Sequence, residues 1–174
     1  MNKLFTPHNL ADIQLKNRVV MAPMTRTRTL NDVADELVAL YYSQRASAGL
    51  IITEGLPVSE EGRGYLYTPG LYNEAQMHGW RKVTDAVHAK GGRIFAQLWH
   101  VGRMSHVSVL PENQAPVSSG TIPATNTTVF AYSDSGEPSA VTPSIPRALE
   151  TEEVKRVTKD FEPYRVCRRL FYLS

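Results

Sequence analysis

Three short apolar runs, each closing in residues that can do chemistry, constrain this chain more than anything else in it. Lys16–Met21 (KNRVVM) leads into Pro23-Met24-Thr25, Leu50–Thr53 (LIIT) into Glu54-Gly55, and Arg93–Ala96 (RIFA) into Gln97-Leu98-Trp99-His100. Helical periodicity fills the gaps between them. The first predicted helix runs from a cap at Asn31 or Asp32 to about Ala48, with Val33, Leu37, Leu40 and Tyr41 on one face and Gly49 as its stop. The second starts at an Asn73 cap with Gln76 in capping-box position, turns Met77, Trp80, Val83, Thr84 and Val87 inward, and stops at Gly91-Gly92. Strand, helix, strand, helix, strand with short helix-to-strand turns implies parallel strands joined by right-handed crossovers. The longer connections follow strands, so a site is expected at the strand C-terminal ends of an α/β barrel or open sheet.

The remainder of the chain is organised differently. Residues 105–147 are rich in Pro, Ser and Thr, and Val129–Tyr132 and Ser139–Val141 are predicted to pair as a hairpin around Asp134-Ser135-Gly136. A connection this long is read as an excursion covering one end of the domain. Thr151 is expected to cap a last helix with Glu152 and Glu153 in its first turn, a narrow apolar face of Val154, Val157 and Phe161, and Pro163 as its stop. The basic residues Arg165, Arg168 and Arg169 then stand without acidic neighbours. Residues 1–162 are thus expected to form one domain and 163–174 a divergent basic tail.

The 174 residues suffice for one domain with a core, and a net charge of +2 is too small to argue for nucleic acid or a membrane surface, so neither is expected as a partner. Cys167 is the only cysteine, which excludes an intrachain disulfide and a cysteine-based zinc cluster and suits a reducing compartment. MNKLFTPHNL has no long apolar run, so the expected location is the cytoplasm.

The three strand ends suit a flavin. A carboxamide at Gln97 can both donate to and accept from the pyrimidine edge of the ring. Thr25 offers a hydroxyl and an N–H near the reactive ring nitrogen, and Gly55 allows a flat ring to approach the backbone. Trp99 and Tyr65 can wall the opposite, substrate-facing side. Each also has a plain structural reading: Gln97 as a satisfied core amide, Gly55 as a turn glycine, Trp99 as a core aromatic. A nucleotide-binding protein of another α/β family is a weaker alternative, because no strand is followed by a P-loop or a G-x-G-x-x-G.

Several motifs in order narrow the choice. LKNRVVMAPMTR at Leu15–Arg26, LIITEG at Leu50–Gly55, Gly64-Tyr65, and QLWHVGR at Gln97–Arg103 resemble the Old Yellow Enzyme family, especially its bacterial alkene, N-ethylmaleimide and nitrate-ester reductases. The resemblance runs from about Leu4 to Glu162. It implies an α/β fold, the N-terminal part of a (β/α)8 TIM barrel with about three strands, their helices and the long excursion. It further implies FMN as cofactor, NADPH or NADH as reductant, and hydride transfer from the flavin to an activated alkene such as an enone or maleimide. By the same resemblance Pro23, Met24, Thr25, Gly55 and Gln97 are FMN contacts, and Tyr65 and Trp99 belong to the substrate pocket. The family's His-Asn or His-His pair and its proton-donating Tyr have no counterpart here, so no catalytic residue and no metal site is expected. His100 does not match the family's substrate-binding histidine. Three strands cannot close a barrel, so the alternative function is a non-catalytic partial barrel that self-associates or pairs with a full-length relative.

Overall fold

The computed structural model describes residues 3–162. The predicted basic tail, including Cys167 and the helix-stopping Pro163, lies outside the described residues. After a short 3-10 turn at Lys3–Phe5, an antiparallel hairpin of β1 (His8–Leu10) and β2 (Ile13–Leu15) opens the fold. The sequence reading did not anticipate this hairpin, because three-residue strands leave too short an alternation to detect. There follow β3 (Val20–Met21), α1 (Glu36–Ser43), β4 (Leu50–Pro57), α2 (Glu74–His88) and β5 (Ile94–Trp99). Strands β3, β4 and β5 form a parallel sheet in that order. Both helices cover the same face of it. Tyr42 of α1 and Trp80, Val83 and Val87 of α2 share one core with Ile51, Leu56 and Ile94 of the strands. Consecutive strand order with helices on one face is the winding of a barrel, not of a doubly wound sheet.

The elements differ from their predicted bounds for identifiable reasons. The first helix starts at Glu36, capped by Asp35, whose carboxylate accepts the Val38 N–H at 3.0 Å. Asp32 adopts φ 55°, a left-handed conformation unsuited to a helix start, and its carboxylate instead pairs with Arg63 at 2.8 Å. The inward face is also not the expected one. Val38, Ala39 and Tyr42 are buried, whereas Leu37 is 61% and Leu40 50% exposed. That face joins the core with Trp80 and Val83 of α2 and Ile51 of β4; just before α1 the chain passes close to α2, where a Cβ on Gly79 would fall 2.5 Å from the Ala34 carbonyl oxygen.

The first strand is only two residues long. Lys16 and Asn17 leave the ladder to satisfy carbonyls of the α1–β4 turn, at Ala46 and Ser47. Strand β4 extends four residues beyond the expected run. The second helix matches its prediction, with Asn73 accepting the Gln76 N–H at 2.9 Å. The Gln76 side chain reaches back one residue further than a capping box requires, to the Tyr72 N–H at 2.8 Å.

The excursion carries β6 (Val117–Ser118), the predicted hairpin as β7 (Val129–Tyr132) and β8 (Pro138–Val141), and β9 (Arg147–Ala148), which pairs in parallel with β6. Helix α3 (Thr151–Asp160) is capped at Glu150 and not at Thr151, with Glu153 closing a capping box. None of its residues is buried, so the expected apolar face does not dock it. Charge does: Arg147 holds Glu153 through two 2.7 Å bonds and Arg156 reaches Glu61 at 2.9 Å.

Two consequences are measurable. In a urea titration followed by far-UV circular dichroism, Trp80→Ala should lower the unfolding free energy by about 3–5 kcal/mol, while Leu37→Ala stays within about 0.5 kcal/mol. Arg147 first, then the Glu150 N–H, holds the Glu153 carboxyl down to about 2 from its ordinary 4.5. A lowered folded-state value stabilises above the unfolded value and is lost on acidification. The amides of α3 should therefore lose hydrogen-exchange protection as pH falls from about 4.5 towards 2, and Arg147→Gln should remove that dependence.

Candidate functional site

The site is set by an irregularity in the middle of β4. Ile51 pairs with Ile94 and Ile52 with Phe95, but the next partners are Gly55 with Gln97, Leu56 with Leu98 and Pro57 with Trp99. Thr53 and Glu54 thus oppose one residue, Ala96, which defines a β-bulge. The extra residue reverses the in–out alternation beyond it. Without the bulge, Gly55 would share the helix-covered face with Ile51. With it, Leu56 enters the core and Gly55 joins Gln97 and Trp99 on the opposite face. The Thr53 hydroxyl repairs the ladder: it accepts the Gln97 N–H at 3.0 Å and donates to the Glu54 carbonyl at 2.7 Å.

Thr25 is brought to the same place from β3. The strap Pro23–Thr29 leaves the strand, and the Arg26 N–H donates to Glu54 Oε2 at 3.1 Å. That bond ties the residue after Thr25 to Glu54 of β4. Pro23 and Thr25 are half-buried and Met24 is exposed. Gly55 and Gln97, expected just beyond their strands, lie within β4 and β5 and pair directly, and Thr25 follows the neighbouring strand β3.

The aromatic wall is built from β5 and the loop after β4. Tyr65 and Trp99 stack with centroids 6.0 Å apart and planes at 21°. The indole lies against Gly55, where a Cβ would fall 2.3 Å from Trp99 Cδ2. Gly64 lets the loop pass the Met104 carbonyl, 2.5 Å from where its Cβ would stand, and this sets Tyr65 beside the tryptophan. The indole Nε1 is buried with no hydrogen-bond partner among the described residues, and a buried orphaned donor is costly unless something else accepts from it. The half-buried Gln97 carboxamide stands on the same face.

His100 is engaged elsewhere. Its Nδ1 accepts the Gly102 N–H at 3.1 Å and its Nε2 faces Glu61 at 3.6 Å, beyond hydrogen-bond distance. Burial pushes the imidazole below its ordinary value, with Glu61 opposing. Arg103 is bound to the Ile122 carbonyl at 3.0 Å.

Two residues of this region have no role assigned from the sequence, although Glu54 closes the second apolar run. Glu54 is 2% exposed and Tyr42 fully buried, and they meet twice. The Tyr42 hydroxyl accepts the Glu54 N–H at 2.8 Å and donates to Glu54 Oε1 at 3.3 Å. Burial raises the pKa of both groups, and for Glu54 the Arg26 N–H and the Tyr42 hydroxyl oppose the rise. The available signal was an acid directly after a β-branched buried run.

The hydrogen-bonding groups on this face fit a flat ring with carbonyl and N–H edges, while the close approach that Gly55 permits is made here by the Trp99 indole. Gln97 supplies both kinds of hydrogen-bonding group, and Trp99 Nε1 is a donor in want of an acceptor.

The NADH:flavin oxidoreductase / NADH oxidase family matches residues 3–164. The 12-oxophytodienoate reductase 7 of Oryza sativa subsp. japonica is 50% identical over 117 residues, 67% of this chain and 30% of that protein. The 12-oxophytodienoate reductase 1 of the same organism is 41% identical over 159 residues, 91% of this chain and 39% of that protein. The structure of morphinone reductase in complex with tetrahydroNAD superposes with a TM-score of 0.93 at 46% identity, covering 99% of this chain and 48% of that one. An Old Yellow Enzyme homologue from Zymomonas mobilis gives 0.83 at 41%, covering 92% and 43%. The chain spans less than half the length of each of these relatives. Its described residues form the N-terminal part of a (β/α)8 TIM barrel, three strands with two helices and a long excursion, with the barrel not closed. Matched over residues 3–164, the chain belongs to the NADH:flavin oxidoreductase / NADH oxidase family, that of Old Yellow Enzyme and its homologues.

Proposed function

We propose that this chain carries the flavin-reading strand ends of an FMN-dependent NAD(P)H oxidoreductase that reduces activated alkenes such as enones and maleimides. The observation that supports this most is that Gly55 and Gln97 share one face with Trp99 and its orphaned N–H, with the Thr25 segment tied to the neighbouring Glu54. FMN, when bound, would supply the hydride chemistry that links NADPH or NADH to the alkene. The residues of this chain bind and orient. Gln97 reads the pyrimidine edge, Thr25 hydrogen-bonds near the reactive nitrogen, and Pro23, Met24 and Gly55 shape the slot. Tyr65 and Trp99 form the apolar wall against which a planar alkene lies and exclude water from it. A cytoplasmic setting suits the nicotinamide reductant and the lone cysteine.

A second reading, a non-catalytic partial barrel that self-associates or pairs with a full-length relative, is favoured by the unpartnered surfaces. Strand β5 is an edge of the sheet with five of its six residues half-exposed, and Leu37 and Leu40 stand in solvent. Such edges invite pairing with another chain.

One set of measurements separates these readings. The purified chain is titrated with FMN by fluorescence quenching, and NADPH or NADH oxidation is followed with 2-cyclohexenone. Saturable quenching is expected, with Gln97→Leu weakening it by about tenfold or more, as loss of a hydrogen-bonding amide at a ring edge implies. A colourless protein that neither quenches excess FMN nor consumes nicotinamide defeats the reductase proposal. In sedimentation velocity the pairing reading expects species larger than a monomer, and a protease-resistant monomer defeats it.

A further inference from the structure

Glu54 is an expensive residue to place where it is. An ionisable carboxyl taken out of water costs free energy unless it is well hydrogen-bonded, and a leucine would fill the same space without that cost. What Glu54 does with its oxygens accounts for it. Oε2 accepts the Arg26 N–H at 3.1 Å, and Oε1 and the backbone N–H both meet the Tyr42 hydroxyl. The strap bearing Thr25 also meets α1 through the Arg26 guanidinium, 5.5 Å from the centre of the Tyr41 ring. Between the strap residues Arg26, Arg28 and Thr29 and the α1 residues Leu37, Leu40 and Tyr41 lies a pocket of about 330 Å³ with Glu54 on its wall. The strap's far end is held by Thr29, whose N–H donates to the Tyr67 carbonyl at 2.9 Å. Its middle is held by Glu54. The anchor for that tie is rigid, because Tyr42 is fully buried in the core against Trp80.

We propose that Glu54 is a positioning residue: locked to Tyr42 of α1, it captures the Arg26 amide and thereby fixes where Thr25 stands relative to Gly55 and Gln97. The bulge makes this possible, since it turns Glu54 towards α1 while sending Gly55 to the other face. Part of the inference rests on the FMN reading above, namely that the positioned Thr25 meets a flavin. The link from Glu54 to the strap does not.

The test uses the full chain in three variants, Glu54→Gln, Glu54→Ala and Tyr42→Phe. Hydrogen exchange is followed at the Arg26 amide and, as a control for global opening, at the Leu71 amide, which donates to the Pro57 carbonyl at 3.0 Å. Glu54→Gln retains a side-chain oxygen for Arg26 and should keep its protection within about threefold. Glu54→Ala should speed exchange at Arg26 by at least about tenfold more than at Leu71. Tyr42→Phe keeps the ring and should give a smaller change of the same sign, and it reads the link should Glu54→Ala not fold. In parallel, FMN affinity and the visible flavin spectrum are expected to follow the order wild type, Gln, Ala. Equal acceleration at Arg26 and Leu71 in the variants would mean that Glu54 only supports the fold, and would overturn the proposal. If the wild type binds no FMN, the flavin reading fails, while the exchange data still decide what Glu54 does.

Discussion

The bulge at Thr53–Glu54 is the constraint on which the arrangement of this molecule depends. A parallel strand delivers alternate residues to its two faces, and here the helix-covered face needs Ile51 and Leu56 while the open face needs Gly55. An odd spacing between the two core residues cannot satisfy a period of two. One extra residue resolves the conflict, and its local cost is limited because the Thr53 hydroxyl stands in for the missing ladder partner. The same displacement buries Glu54 against Tyr42. The face that would read a cofactor and the buried carboxyl behind it are thus two results of one insertion.

The two faces of the sheet contrast in energetics. On one side Tyr42, Trp80, Val83 and Val87 are removed from water almost completely and close over the strands. On the other, the residues of β5 beyond Ile94 remain half-exposed, and Trp99 lies against Tyr65 and Gly55. A stable face beside an incompletely covered one is what a segment of a barrel has, since the inner face of each strand is completed by strands further round the ring. The excursion partly compensates. Its hairpin packs with Leu66, Tyr65 and Tyr67 into a second small core, and this steadies the loop that presents Tyr65 to Trp99.

How much was legible in the sequence followed the strength of the local signal. The third strand, the second helix and the β7–β8 hairpin were readable because each is a continuous pattern with a strong stop: Asn73 at one end, Gly91-Gly92 at the other, Asp134-Ser135-Gly136 at the turn. The first helix was misplaced because Asn31 and Asp32 look like caps as much as Asp35 does. Its buried face differs from the expected one because Leu37 and Leu40 carry more apolar surface than Ala39, yet it is Val38, Ala39 and Tyr42 that join the core shared with α2 and the strands. The last helix was read as amphipathic, yet it is docked by Arg147–Glu153 and Arg156–Glu61. Ion pairs between distant positions leave no periodic trace. The strand ends at Pro23-Met24-Thr25, Gly55 and Gln97 stood out through their motifs, whereas Glu54 and Tyr42, twelve residues apart with no shared pattern, did not.

The sequence by itself determined the alternation of strands and helices, the parallel order and the family, because these follow from hydrophobic period, turn chemistry and ordered motifs carried within contiguous stretches. Only the tertiary structure decided which side of β4 Gly55 occupies, which face of α1 is buried and what holds the Thr25 strap. Those outcomes depend on how separate elements compete for the same space and the same hydrogen bonds. A period of two or of 3.6 states that a residue alternates or turns, but the phase is chosen by whatever packs against it.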